Sequence, residues 1–295
     1  PLIATGSKDY LITLYNLSTV PPTITKLKHL QKSDTQKIKA IAFHTCFPLL
    51  ATGSSNHSTT LYNISTTPAT VKNCFKHHTA TVNMVTFHPK LLFLVTGSDR
   101  GKSILIYDIS TIVPTIKHHF KNYLKFVWCV AFHSKFPLFA INERGPSIIL
   151  YDVHISPPTM INTLNHHTGV ITSIAWHPSL LLLASASHDY SLILYDMSTV
   201  PATIQHRLHH QHSKWVSCVI FHQSLPLFAT CSADGTTIVY TLTTSPPAIT
   251  INNHFKTHSK LVRGVAFHPN LPIVATASQD HSVILYNLEQ INLNK

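Results

Sequence analysis

The sequence predicts an all-β fold made from one four-stranded antiparallel repeat used seven times. Three observations carry that prediction. A tyrosine closing an apolar run recurs at Tyr15, Tyr62, Tyr107, Tyr151, Tyr195, Tyr240 and Tyr286, at intervals of 44–47 residues. A histidine following an aromatic residue recurs at His44, His88, His133, His177, His222 and His268. A run of small residues lies between the two: ATGS at 4–7 and 51–54, VTGS at 95–98, ASAS at 184–187, ATCS at 229–232 and ATAS at 275–278. A fixed period in short apolar runs marks one structural element copied along the chain.

Each repeat reads as four strands. Strand a is the alternating segment that ends in Phe-His, as at 127–133. Strand b carries the small-residue run. A turn with an acid follows, at Asp9, Asp99, Asp189, Asp234 and Asp280. Strand c is the apolar run ending in tyrosine. Strand d follows Ser-Thr-x-Pro-Pro, as at 23–27 or 159–164. The runs are β-branched and aromatic and are bounded by Pro, Ser, Asn, Asp and Gly. Helical spacing of apolar residues is absent almost everywhere. The prolines fall in the a–b and c–d turns, where no ladder donor is lost.

Several of these residues match a family pattern. His78, His167, His212 and His258 each stand four residues before the Val or Ile that opens strand a. Tyr107-Asp108, Tyr151-Asp152 and Tyr195-Asp196 form aromatic-acid pairs at the end of strand c. With the small-residue run and the Asp turn, this pattern resembles the WD-repeat family of β-propellers, and the likeness covers essentially the whole chain. It implies an all-β, seven-bladed β-propeller of four-stranded antiparallel blades forming a single domain over 1–295. Blade 1 begins at strand b, because Pro1 aligns with Pro48, so it is expected to lack its inner strand. Upstream residues are expected to supply that strand, and residues 290–295 to add a short final strand d. Tyr replaces the family's Trp throughout, and Asn16, Asn63, Thr241 and Asn287 replace its Asp. These departures are expected to weaken the family's His–Ser/Thr–Asp–aromatic hydrogen-bond network, with packing as the offset.

Composition narrows the function. No run of 18 apolar residues indicates a membrane span. The five cysteines form no CxxC pair, and a reducing intracellular setting, cytoplasmic or nuclear, fits them. Cys129 and Cys218 occupy equivalent places in their repeats and are expected to be small buried hydrophobes. Of eleven carboxylates, nine fall at repeat positions, which leaves no spare pair for hydrolysis or for a bound cation. No GxSxG, P-loop or HExxH motif occurs. The expectation is a non-catalytic protein with no cofactor. The 23 histidines raise a metal hypothesis, but the d–a loops that hold many of them are not expected to converge into a tetrahedral site. The HHQH run at 209–212 is the best candidate for adventitious capture.

The formal charge of +11 is the compositional feature with functional content. About fifteen of the 22 Lys and Arg lie in strand d or the d–a loop, and none falls between Arg144 and Arg207. A lopsided positive field favours acidic partners. Blade 4 is irregular: Tyr123 stands at the family's His position, and INERGP at 141–146 replaces the small-residue run and Asp turn. Loops that leave the repeat are candidate contact sites. The expected partner-binding residues are therefore Lys37, Tyr123, Lys125, Phe126, Arg144, Trp215, Lys260, Leu261 and Arg263, on the face formed by the d–a and b–c loops. The expected partner is a protein with an acidic segment. RNA or a ribonucleoprotein is the alternative, disfavoured by the scarcity of aromatic platforms among the cations.

Overall fold

The computed structural model describes residues 2–6, 11–16, 23–28, 37–66, 68–98, 103–120, 127–143, 145–153, 158–199, 201–244 and 247–288. The chain divides into two compact units, Pro1–Phe132 with Asp152–Thr159, and His133–Tyr151 with Met160–Lys295. In the first unit, β1 (Leu2–Gly6), β2 (Leu11–Asn16) and β3 (Thr23–Lys28) form a three-stranded sheet. Two four-stranded sheets follow. One holds β4 (Ile38–Phe43), β5 (Leu49–Ser54), β6 (Thr59–Asn63) and β7 (Thr70–Phe75). The other holds β8 (Val82–Phe87), β9 (Phe93–Ser98), β10 (Ile104–Asp108) and β11 (Thr115–Phe120). The unit ends with β12 (Cys129–Phe132), strand a of the fourth repeat and shorter than the sequence predicts.

The second unit takes up the fourth repeat at β13 (Leu138–Asn142), β14 (Ile148–Asp152) and β15 (Thr159–Leu164). Two four-stranded sheets come next. They are β16 (Ile171–Trp176) to β19 (Thr203–Leu208), through β17 (Leu182–Ser187) and β18 (Leu192–Asp196), and β20 (Val216–Phe221) to β23 (Pro247–Phe255), through β21 (Leu227–Ser232) and β22 (Thr237–Thr244). The last sheet is β24 (Val262–Phe267), β25 (Ile273–Ser278) and β26 (Val283–Asn287). All are antiparallel meanders, the blades of a β-propeller. Among the described residues five repeats supply all four strands and the first and last supply three, so the propeller does not reach the seven blades that the tyrosines suggest. The expected final strand d at 290–295 lies outside the described residues.

The register explains two sequence features. Strand a carries an irregularity just after its first residue, as between Val82 and Met84 or Val216 and Cys218. Strand c carries one before its tyrosine, between Ile106 and Tyr107, Leu194 and Tyr195, and Val239 and Tyr240. Such irregularities add local twist to a strand pair. The small-residue run is a packing requirement. Strand b is buried along its whole length in β5, β17 and β21. A Cβ at Gly53 would lie 2.8 Å from Val82 Cγ1 and from the Val82 carbonyl oxygen of the next repeat.

The core lies between successive repeats. Leu49, Ala51, Leu61 and Phe75 pack with Val82, Val85, Leu94 and Tyr107. Leu182, Ala184 and Leu194 pack with Val216, Val219, Phe228 and Tyr240 in the same way. Strand d is the outer strand and stays largely exposed. No helix among the described residues is long and apolar enough to cross a membrane.

The Phe-His histidines close the a–b turns. Nδ1 of His44, His88, His133, His177, His222 and His268 each accepts the backbone N–H groups two and three residues on, at 2.9–3.3 Å. Nδ1 must therefore be unprotonated, which leaves the proton on Nε2. That Nε2–H donates to a carbonyl of the following repeat: His44 to Leu91 at 3.1 Å, His133 to Leu180 at 2.9 Å and His222 to Leu271 at 3.1 Å.

Candidate interaction face

A second class of histidine has the opposite tautomer. His167 Nδ1 lies 2.8 Å from Asp189 Oδ2, and a carboxylate only accepts, so Nδ1 carries the proton. In the neutral ring Nε2 then accepts the Ser185 hydroxyl at 2.7 Å. Ser185 is also hydrogen-bonded to the Tyr195 phenol. His258 repeats the arrangement, with Asp280 at 2.9 Å and Thr276 at 2.8 Å. His212 bonds Thr230 and Thr236, each at 2.7 Å, with Asp234 Oδ2 at 3.6 Å. His78 bonds Thr96 at 2.7 Å and Ser103 at 3.1 Å.

Tyr in place of Trp still takes part in this network. The phenol hydroxyl reaches the strand-b Ser or Thr, and the ring stays fully buried. Burial pushes the Tyr107 phenol well above its ordinary range, and those of Tyr195 and Tyr240 up to about 12. Tyr195→Phe is expected to cost about 1 kcal/mol in urea denaturation, the value of one buried hydrogen bond. The same change at half-exposed Tyr190 should leave the midpoint in place, and equal losses at both positions would contradict the network.

Blade 4 has lost the network's strand-b member as well as its histidine. Ile141 occupies the Ser/Thr position and is fully buried. Asn142, also fully buried, holds the irregular turn by donating from Nδ2 to the Gly145 and Ser147 carbonyls at 2.9 and 2.8 Å.

These networks determine the charge of the loop face. Asp189, Asp234 and Asp280 sit in the b–c turns, and each carboxylate is turned onto its own histidine, its turn hydroxyl and a d–a backbone N–H. The cations beside them are not answered by these acids. Lys37, Lys260 and Arg263 are exposed, and Trp215 and Leu261 are half-buried.

Lys37 in the first unit and Val170, Trp215 and Leu261 in the second hold equivalent positions in their own repeats. Each backbone carbonyl accepts the N–H of the residue after strand b, namely Ser55, His188, Ala233 and Gln279, at 2.8–3.0 Å. The Trp215 ring lies 4.5 Å from that of His188, and Arg263 reaches the Gln279 side-chain oxygen. Tyr123, Lys125, Phe126 and Arg144 lie outside the described residues.

A cleft of about 600 Å³ opens in the second unit, and sequence reasoning did not anticipate it as a site. Tyr190, His210, His254 and Lys256 line it together with Asp234 and Thr236. Tyr190 and His210 both adopt the left-handed backbone region, with φ of 66° and 60°. The HHQH run is the only sequence signal that pointed to this place. Among the described residues, no three His, Cys, Asp or Glu side chains are grouped to hold a metal ion.

Four-stranded antiparallel blades with a His–Ser/Thr–Asp–Tyr network define a β-propeller repeat protein. The family profile described as WD domain, G-beta repeat matches residues 69–108, 158–196, 203–241 and 249–287, more than half of the chain. The chain belongs to the WD40 repeat family. A chain in a crystal structure of the mitotic checkpoint complex is similar over 97% of this chain and 83% of its own length, with a TM-score of 0.82 and 16% identity. At that identity the likeness concerns the fold. With 1597 solved chains matching, the fold alone selects no function. No curated protein matches the sequence.

Proposed function

We infer that this protein is a non-catalytic interaction scaffold that binds an acidic segment of a partner protein on the face made by its d–a and b–c loops. The WD40 propeller fold is consistent with a scaffold role. The observation that carries the acidic partner is the fate of the turn carboxylates. Asp189, Asp234 and Asp280 are consumed by histidine networks, so Lys260 and Arg263 in the second unit, and Lys37 in the first, face solvent without those acids as partners. Trp215 and Leu261 add half-buried apolar surface of the kind that anchors interfaces.

A fluorescein-labelled poly-glutamate peptide provides the test by fluorescence polarisation. Lys260→Glu with Arg263→Glu is expected to weaken its binding roughly tenfold at low salt, with most of the change in association rate. Unchanged binding in that double variant sinks the reading. So does tighter capture of a single-stranded RNA of equal charge, with a steep fall in salt, because that is the signature of phosphate recognition.

A further inference from the structure

We propose that Cys218 and Cys231 form a two-thiol redox site in the sixth repeat, which peroxide converts to a cross-strand disulfide. Cys218 on β20 and Cys231 on β21 are direct register partners. The equivalent pair in the third repeat is Met84 and Gly97, where a Cβ added to Gly97 would lie 3.6 Å from Met84 Cβ. Disulfides need Cβ atoms about 3.5–4.5 Å apart, so the repeat geometry at this pair suits a bridge without backbone movement. The other repeats place Ala40 with Gly53, Ser173 with Ala186 and Gly264 with Ala277 at these positions. Among these register pairs, only the sixth repeat places cysteine on both strands.

The two thiols are suited to different steps. Both are free, Cys231 is fully buried, and Cys218 is half-buried against the apolar cluster that includes Cys231 and Val265, as a small hydrophobe would be. The hydrogen bond from Cys231 draws the Cys218 thiol down, and burial pushes Cys231 up. Of the two, Cys218 has the greater thiolate character, and thiolates are the nucleophiles. Ser217 Oγ lies 3.3 Å from Cys231 Sγ, and Ser173 donates toward Cys218 Sγ at 3.8 Å.

Cys218 thiolate attacks one oxygen of hydrogen peroxide. The O–O bond breaks, hydroxide leaves and takes a proton to become water, and a sulfenic acid remains. The Cys231 sulfur then attacks the Cys218 sulfur. The S–O bond breaks, the S–S bond forms, and the Cys231 proton leaves with the hydroxyl as a second water. Two thiols are oxidised to a disulfide and one peroxide is reduced to two waters.

The test uses the full chain with Cys46→Ser, Cys74→Ser and Cys129→Ser, treated with one equivalent of hydrogen peroxide. The intact mass is expected to fall by about 2 Da, with no thiol open to alkylation after denaturation until reductant is added. Adding Cys231→Ser should stop the reaction at a Cys218 sulfenic acid, heavier by about 16 Da and trapped by dimedone. Peptide mapping of the oxidised, unsubstituted chain should find the 218–231 cross-link, which keeps the result independent of how the variants fold. Unreacted thiols, or oxygen added at both cysteines with no cross-link in the unsubstituted chain, would overturn the proposal.

Discussion

Replacing Asp189 by alanine is expected to destabilise the second unit by roughly 3 kcal/mol, against less than about 1 kcal/mol for the same change at Asp196. Asp189 accepts four hydrogen bonds. Oδ2 takes His167 Nδ1–H at 2.8 Å and the Thr168 N–H at 3.0 Å. Oδ1 takes the Ser191 N–H at 2.9 Å and its hydroxyl at 2.6 Å. Burial opposes the charge, yet the bonds from His167 and Ser191 outweigh it and hold the carboxyl well below the usual range. Alanine leaves the buried ring N–H with only the Ser191 hydroxyl, 3.2 Å away, and two backbone donors without an acceptor. Asp196 bonds only Ser198, at 2.8 and 2.6 Å, in an open turn. Urea denaturation at pH 7.5 compares the two variants. A lowered carboxyl pKa stabilises above the ordinary carboxylate range and is lost as pH falls below it, so the Asp189 deficit should shrink toward pH 3. Equal losses for the two variants at pH 7.5 would show that the network adds nothing beyond an ordinary turn.

Much of this fold was legible because one burial constraint is copied along the chain. A strand-b residue pressed against the next repeat must be small, and Gly53, Ala186 and Ala277 obey that rule at equivalent positions. The strand-c tyrosine is buried and bonded at Tyr62, Tyr107, Tyr195 and Tyr240. The strength of the network was not legible from residue types, because it depends on distance: a phenol reaches Thr96 or Ser185 only because the rings sit in a fully buried slot. The pairing of Cys218 with a second thiol was not legible for a similar reason. Its repeat position sets its strand but not its neighbour across the ladder, and that neighbour decides its chemistry.

The candidate face was legible in part. Lys37, Trp215 and Leu261 hold equivalent positions in their repeats because repeat alignment fixes which carbonyl meets the b–c turn. The engagement of the turn acids by histidine follows from a His-to-Asp separation of 22 residues at 167–189, 212–234 and 258–280. The cleft was hidden because Tyr190, His210 and His254 come from three different turns and strands, and no local motif joins them.

Acidification from pH 7 to pH 4 is expected to cost several kcal/mol, with the Phe-His histidines as the cause. Burial lowers the pKa of all six, and His88 and His177 fall to about 4. Neighbouring charges add to it, from His44 and Lys90 beside His88, and from His133 and Lys135 beside His177. The geometry supplies the reason. Nδ1 faces two backbone N–H donors, so a proton there meets donors instead of an acceptor and opens the a–b turn.

A histidine depressed in the folded state binds fewer protons than the unfolded chain between about pH 6.5 and 4. Stability is complete above that window and is lost as pH falls through it. Discounted for the solvent that reaches the rings, His88 and His177 contribute about 2 kcal/mol each. The turn carboxylates act lower, below about pH 4, so the two effects separate on the pH axis. Denaturation midpoints taken from pH 8 to pH 4 measure the slope. Asparagine at both positions keeps an oxygen to accept the turn N–H groups but does not titrate. The double variant His88→Asn, His177→Asn should begin less stable at pH 8 and lose less on acidification. A slope equal to that of the unsubstituted protein would place the acid sensitivity elsewhere.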